Sequence, residues 1–203
     1  MSLKQHRGFS LLELLATVAI GFTVACIGFI SLLPTLKQSR VDNAYDTTLA
    51  TIRTYRNRAV TERKRYILTF TVPGTITVQR WDFAVPISPP PVTVATFTLP
   101  TDVQYAVQAG FPTTAATVPD GFGAGGTALD FGQGLGAGSL NYIMFMPDGS
   151  SQDTLGNQNS GVLYITRPNE LYSSRSITVF GTTGRIRGYR LYNEAGTPTW
   201  VQQ

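Results

Sequence analysis

Apolar positions fall into three successive regimes along the chain. From Phe9 the sequence turns apolar, and residues 14–33 carry no charge at all. As a helix this stretch would rise about 30 Å, the hydrocarbon thickness of a bilayer, so a hydrophobic helix over 9–36 is expected to span one. Pro34 removes one helical hydrogen bond and is expected to kink or soften the helix where the run ends. Leu36, Val41, Tyr45, Leu49, Ile52, Tyr55 and Ala59 then recur mostly at three- and four-residue steps. That spacing predicts an amphipathic helix over 37–65, its stripe covered by a globular domain. Beyond Arg65 the period shortens to two, with Tyr66, Leu68, Phe70 and Val72 on one strand face. Pro73 and Gly74 turn the chain into a hairpin partner over 75–81, and a third strand is expected over 92–99. Strands return over 140–146, 162–167, 176–180 and 185–192, with turns at 147–149 and 182–184. The class is α+β: a long N-terminal helix, partly transmembrane, packed on an antiparallel β-sheet domain over 66–203.

Composition narrows the chemistry. Only 14% of the 203 residues are charged, below the roughly one quarter of an ordinary soluble domain. The single His (His6) and single Cys (Cys26) both lie near the N-terminus. A Cys/His zinc centre or a histidine-dependent triad therefore lacks its ligands on the folded body, and no intrachain disulfide forms. No metal, cofactor or enzymatic activity is expected. Charge is segregated: residues 53–65 and 167–190 are basic, while 66–166 hold Arg80 against six aspartates. Arg53, Arg56, Arg58, Arg63, Lys64 and Arg65 against Glu62 make the other face of the second helical stretch strongly charged.

Two loops resemble ligand-binding motifs without meeting their requirements. Residues 119–138 are rich in glycine and carry only Asp120 and Asp130, so a surface loop is expected there. The stretch lacks the Gly-Lys-Ser/Thr ending of a phosphate loop and the strand-to-helix context of a dinucleotide fingerprint. Residues 148–153 begin and end in aspartate but lack the acidic spacing of a calcium loop.

Three processing fates compete for the N-terminus. A secretory signal peptide wants a shorter apolar core and no internal acid, whereas this run is long and contains Glu13. Thr23, Val24, Ala25 and Cys26 loosely match a lipoprotein box, but apolar residues continue past Cys26. In the third, a short basic leader ends at Gly8, Phe9 follows, and Glu13 stands five positions beyond the Gly. Gly8, Phe9, Ser10, Leu11, Leu12 and Glu13 resemble the processing site of type IV prepilins. The resemblance implies that prepilin peptidase cuts after Gly8, methylates the new Phe9 amine and leaves the 1–8 leader in the cytoplasm. The chain would be a single-pass protein of the bacterial inner membrane with its C-terminal domain in the periplasm. Glu13, costly in an apolar span, would assist assembly by pairing with the amine of a neighbouring subunit; the alternative is a carboxylate solvated near the headgroups. Thr17, Gly21, Ala25 and Gly28 put small residues near one helical face, suited to close helix packing.

The C-terminal part resembles the GspH/FimT group of minor pseudopilins, on the strand ending Phe145-Met146-Pro147-Asp148-Gly149, the strand around 161–165 and the hairpin through Gly184-Arg185-Ile186-Arg187. That resemblance implies a structural subunit at or near the tip of a type II secretion pseudopilus or type IV pilus. Its partners would be other pilins or pseudopilins, the prepilin peptidase and the inner membrane, with energy from a separate cytoplasmic ATPase. The alternative is a DNA-binding minor pilin of natural transformation, because some members of the group use a Gly-Arg-x-Arg element. Arg185 and Arg187, two apart on a strand, would share a face, with Arg175, Arg190 and Arg167 near enough to extend a phosphate-binding stripe.

Overall fold

The computed structural model describes residues 10–82, 90–123, 126–133 and 139–203. The chain divides into two units, Met1–Ser39 and Arg40–Gln203, and the helix α1 (Leu11–Glu62) contributes to both. Ser10 precedes α1 and closes its first turn, its carbonyl accepting the Leu14 N–H at 3.0 Å. The helical backbone continues through residue 34, where a kink or softening was expected. Proline's fixed φ suits a helix, so the lost N–H bond alone does not end one. Within the first unit, every side chain from Ser10 to Phe29 is exposed. Leu11–Phe29 is 19 residues long and apolar enough to cross a membrane.

The second unit is built on the remainder of α1. Val41, Ala44, Tyr45, Thr48, Leu49, Ile52, Tyr55 and Ala59 are buried at steps of one helical turn. Leu36, expected at the head of this stripe, is exposed, so the covered face begins at Val41. The helix ends at Glu62, and Arg65 is already a strand residue.

One sheet holds β1 (Arg65–Thr71), β2 (Thr75–Trp81), β3 (Val92–Thr98), β6 (Tyr142–Phe145) and β7 (Ser151–Gln152), in the order β3-β2-β1-β6-β7. Alternation sends Tyr66, Leu68, Phe70, Ile76, Val78, Ile143 and Phe145 inward. Val72, expected as the last inward position of the first strand, lies beyond its end and is exposed. On the other face the register aligns Thr69, Thr77 and Thr96 in one row and Thr71, Thr75 and Thr98 in the next. Such cross-strand threonine pairs suit a solvated, uncharged sheet surface.

A second sheet runs β11 (Thr197–Gln202), β10 (Ile186–Glu194), β9 (Glu170–Val179), β8 (Ser160–Arg167) and β4 (Gln104–Tyr105), with β5 (Leu129–Gln133) also paired to β8. All pairings in both sheets are antiparallel. Leu163, Ile165, Ile177 and Val179 join the α1 stripe and the first sheet's inner face in one core. The odd–even alternation turns Val162, Tyr164, Tyr189, Leu191 and Trp200 the other way, into a smaller core with Phe111.

The glycine-rich stretch departs from expectation. Pro119–Gly121 forms a 3-10 turn, and Leu129 and Phe131 of β5 are buried. A Cβ on Gly161 would strike the backbone of Asp130 and Phe131, so glycine lets β8 and β5 approach. Residues 124–125 and 134–138 of that stretch, and the Pro-rich 83–89 segment, lie outside the described residues. The strand β11 was not expected, and β9 begins six residues earlier than the expected 176–180.

Candidate functional site

Glu13 is exposed in the first turn of α1, where the helix dipole favours a carboxylate. It is the one charged residue of the Leu11–Phe29 stretch. Gly8 and Phe9 lie outside the described residues. Thr17 and Thr23 hydroxyls donate back to the carbonyls of Leu14 and Ala19, which satisfies them without water.

The C-terminal arginines do not form one stripe. In the β9–β10 register Arg190 stands opposite Arg175, and Arg187 opposite Thr178. Residues 187 and 190 are three apart, so strand parity puts them on opposite faces. Arg175 is 1% exposed and is held by Asp42 of α1, its Nη2 donating to Oδ1 at 2.5 Å. Burial pushes the Arg175 pKa down and the Asp42 carboxylate opposes it. Arg190 lies over the Tyr192 ring at 5.1 Å. On the other face, Arg187 Nη1 donates to Asp120 Oδ1 at 2.6 Å, and Asp120 Oδ2 accepts the Thr178 hydroxyl at 2.5 Å. Arg167 is bound by Asp102 and Glu170. Arg185 is exposed and lies over Phe180 at 4.1 Å; Arg187 reaches the same ring at 5.6 Å. The expected neighbours Arg185 and Arg187 thus meet at one ring, whereas Arg175 and Arg190 belong to the opposite face.

The turns that carry the two C-terminal motifs meet at one residue of the helix. Arg56 Nε donates to the Gly149 carbonyl at 3.2 Å and its Nη2 to the Thr183 carbonyl at 2.9 Å. Gly184 has φ +60°, and a Cβ there would overlap the Gly149 carbonyl oxygen. The Pro147–Gly149 region and the 181–185 turn are therefore pressed together and fastened by a helix side chain. Arg56, read from sequence as part of a strongly charged face, is a structural clamp. Nothing in local spacing marks it, because its partners are backbone carbonyls distant in sequence.

The 148–153 stretch is internally satisfied. Asp148 Oδ1 accepts the Ser150 N–H at 2.8 Å, and Asp153 Oδ1 accepts the N–H groups of Leu155 and Asn157. Asp153 Oδ2 takes the Asn157 side-chain amide at 3.0 Å. These carboxylates shape turns.

The fold and these placements define an α+β protein with one helical stretch suited to crossing a membrane and a two-sheet domain clamped to the later part of that helix. No family model, curated protein or solved structure matches the chain.

Proposed function

We propose that the chain is a minor pilin-like or pseudopilin-like subunit, made as a precursor and cut after Gly8 by a prepilin peptidase. The observation that carries this reading is the composition of α1. Its first stretch is apolar, exposed and interrupted only by Glu13, while from Val41 onward the same helix is a buried core element. An exposed apolar helix of this length calls for lipid or for like helices around it. A filament of helices packed side by side supplies both in turn, first in the inner membrane and then in the assembled pilus or pseudopilus. The subunit is structural and not an enzyme, needs no cofactor, and presents its C-terminal domain in the periplasm. Glu13 pairs with the Phe9 amine of a neighbouring subunit. Replacing Glu13 by Ala should leave cleavage intact and abolish incorporation into filaments, read by immunoblot of sheared filaments against membranes. Normal incorporation of the variant would remove Glu13 from assembly.

A second reading, capture of DNA for uptake, has Arg185 in its favour, exposed and without a carboxylate partner among the described residues. Arg187 and Arg175 already have carboxylate partners, which lowers the positive charge they offer a phosphate backbone. Its test is salt-dependent binding of duplex DNA, with loss in an Arg185→Ala, Arg187→Ala double variant; absence of binding at low salt would discard it.

A further inference from the structure

The two sheets end in unequal edges. β7 and β4 are each two residues long, and β11 carries Pro198, which has no N–H to offer a neighbour. Short edge strands and prolines are the usual protection against further pairing. β3 has neither: it runs seven residues, Val-Thr-Val-Ala-Thr-Phe-Thr, with no charge and no proline. Among the described residues it pairs with β2 alone. Bulges also limit pairing, but the one here leaves out Val94, near the start of the strand, and Ala95–Thr98 is regular.

Register places the main-chain groups at this edge. The Leu99 N–H donates at 2.8 Å to the carbonyl of Gly74, which precedes β2. Antiparallel alternation then turns the N–H and C=O groups of Phe97 and Ala95 toward β2 and those of Thr96 and Thr98 outward. Thr96 and Thr98 are exposed, and no other hydrogen bond among the described residues reaches their main chain. On the inner face Ala95 and Phe97 pack against the main core yet remain half-buried, so the core is open along this edge. A depression of about 260 Å³ adjoins the end of the strand, between Asn43, Ala44 and Thr47 of α1 and Thr98, Leu99 and Pro100.

We propose that the edge of β3 takes up an extended, uncharged segment of a partner polypeptide as an added antiparallel strand. Free N–H and C=O groups supply the main-chain bonds of such an addition. Alternation fixes the chemistry of the segment: apolar side chains on the face that continues Ala95 and Phe97, small polar ones on the face that continues the threonine rows. β3 offers an acidic or basic segment no ion pair, and burial beside Phe97 disfavours either charge. The inference does not rest on the pilin-like reading, because this edge plays no part in cleavage after Gly8 or in the pairing of Glu13.

The test uses the full chain in uncharged detergent micelles, with a fluorescein-labelled peptide of alternating valine and threonine as the probe, its solubilising charges kept outside that stretch. Saturable binding is expected by fluorescence anisotropy. Residues opposite each other across a ladder share a face, so the peptide's threonines stand opposite Thr96 and Thr98 and direct their N–H groups at β3. N-methylation of those threonines should weaken binding at least about tenfold, as loss of several hydrogen bonds implies. N-methylation of the valines should leave it unchanged. Thr96→Pro, which removes an outward N–H, should weaken binding to a similar degree with an unchanged melting temperature; the methylated peptides keep the test on the parent chain if that variant fails to fold. Absence of saturable binding, or equal binding of the two methylated peptides, overturns the proposal. Self-association of the chain that Thr96→Pro abolishes, without peptide binding, overturns it in favour of a second copy at this edge.

Discussion

Gly188 shows how a single missing side chain seats the helix on the second sheet. A Cβ at that position would run into the Tyr45 hydroxyl, so β10 accepts the tyrosine only where it carries glycine. Gly188→Ala should destabilise the protein by about 1–3 kcal/mol, the usual cost of overpacking. Adding Tyr45→Phe should restore part of the loss, since contacting sites are non-additive; urea unfolding of both variants measures it, and strict additivity would contradict the contact. Arg56 acts in the opposite sense, by adding bonds between distant turns. Arg56→Ala should cost about 1–2 kcal/mol by the ordinary worth of hydrogen bonds from a charged donor, again read by urea unfolding. A neutral outcome would mean that the two turns hold each other without it.

At the scale of elements, β5 is the sharpest departure from what residue patterns convey. Its surroundings are rich in glycine, which argues for a loop, yet Phe131 is fully buried and stacks on Phe70 with centroids 5.4 Å apart. Phe131→Ala should therefore cost about 3–5 kcal/mol, as for a core aromatic, where a surface loop would lose almost nothing. The second half of α1 was legible because an amphipathic stripe repeats over many turns. The first three strands were legible because alternation and the Pro73-Gly74 turn agree. The early part of β9 was hidden: Ser174 and Arg175 are polar and fully buried, so periodicity misreads them. Their burial is made tolerable by partners on other elements, Asp42 for Arg175 and the Thr166 hydroxyl for Ser174. Among the arginines, strand parity alone separates Arg187 from Arg190, a relation present in the sequence once β10 is placed. The Asp120 partner of Arg187 was not legible, because it sits in a turn 67 residues away.

For the whole molecule, the two-sheet domain is sensitive to alkali through its tyrosines. Burial raises the pKa of Tyr45, Tyr66, Tyr105, Tyr164 and Tyr189 above the ordinary value of 10.0. Tyr66 is pushed up to about 12, first by burial and then by its hydrogen bond to Glu62. Below pH 10 these phenols are protonated in both folded and unfolded chains and pH has no leverage through them. Above it the unfolded chain releases protons that the folded chain retains, so stability falls as pH rises from 10 through 12. The urea midpoint should drop across that window while the buried tyrosines ionise only with unfolding, read by their absorbance. Free ionisation of all tyrosines near pH 10 in the folded protein would contradict the burial.

The account of the whole chain depends most on what becomes of its N-terminus. On the pilin-like reading proposed above, Gly8 and Phe9 are separated and a charged amine comes to stand near Glu13. Intact-mass analysis of the chain, purified from bacterial membranes that contain a prepilin peptidase, measures this directly. The mass should correspond to a chain beginning at methylated Phe9, and Gly8→Ala should retain the leader. A chain that keeps residues 1–8 beside active peptidase, or one cut within or after the apolar run, would contradict the pilin-like reading.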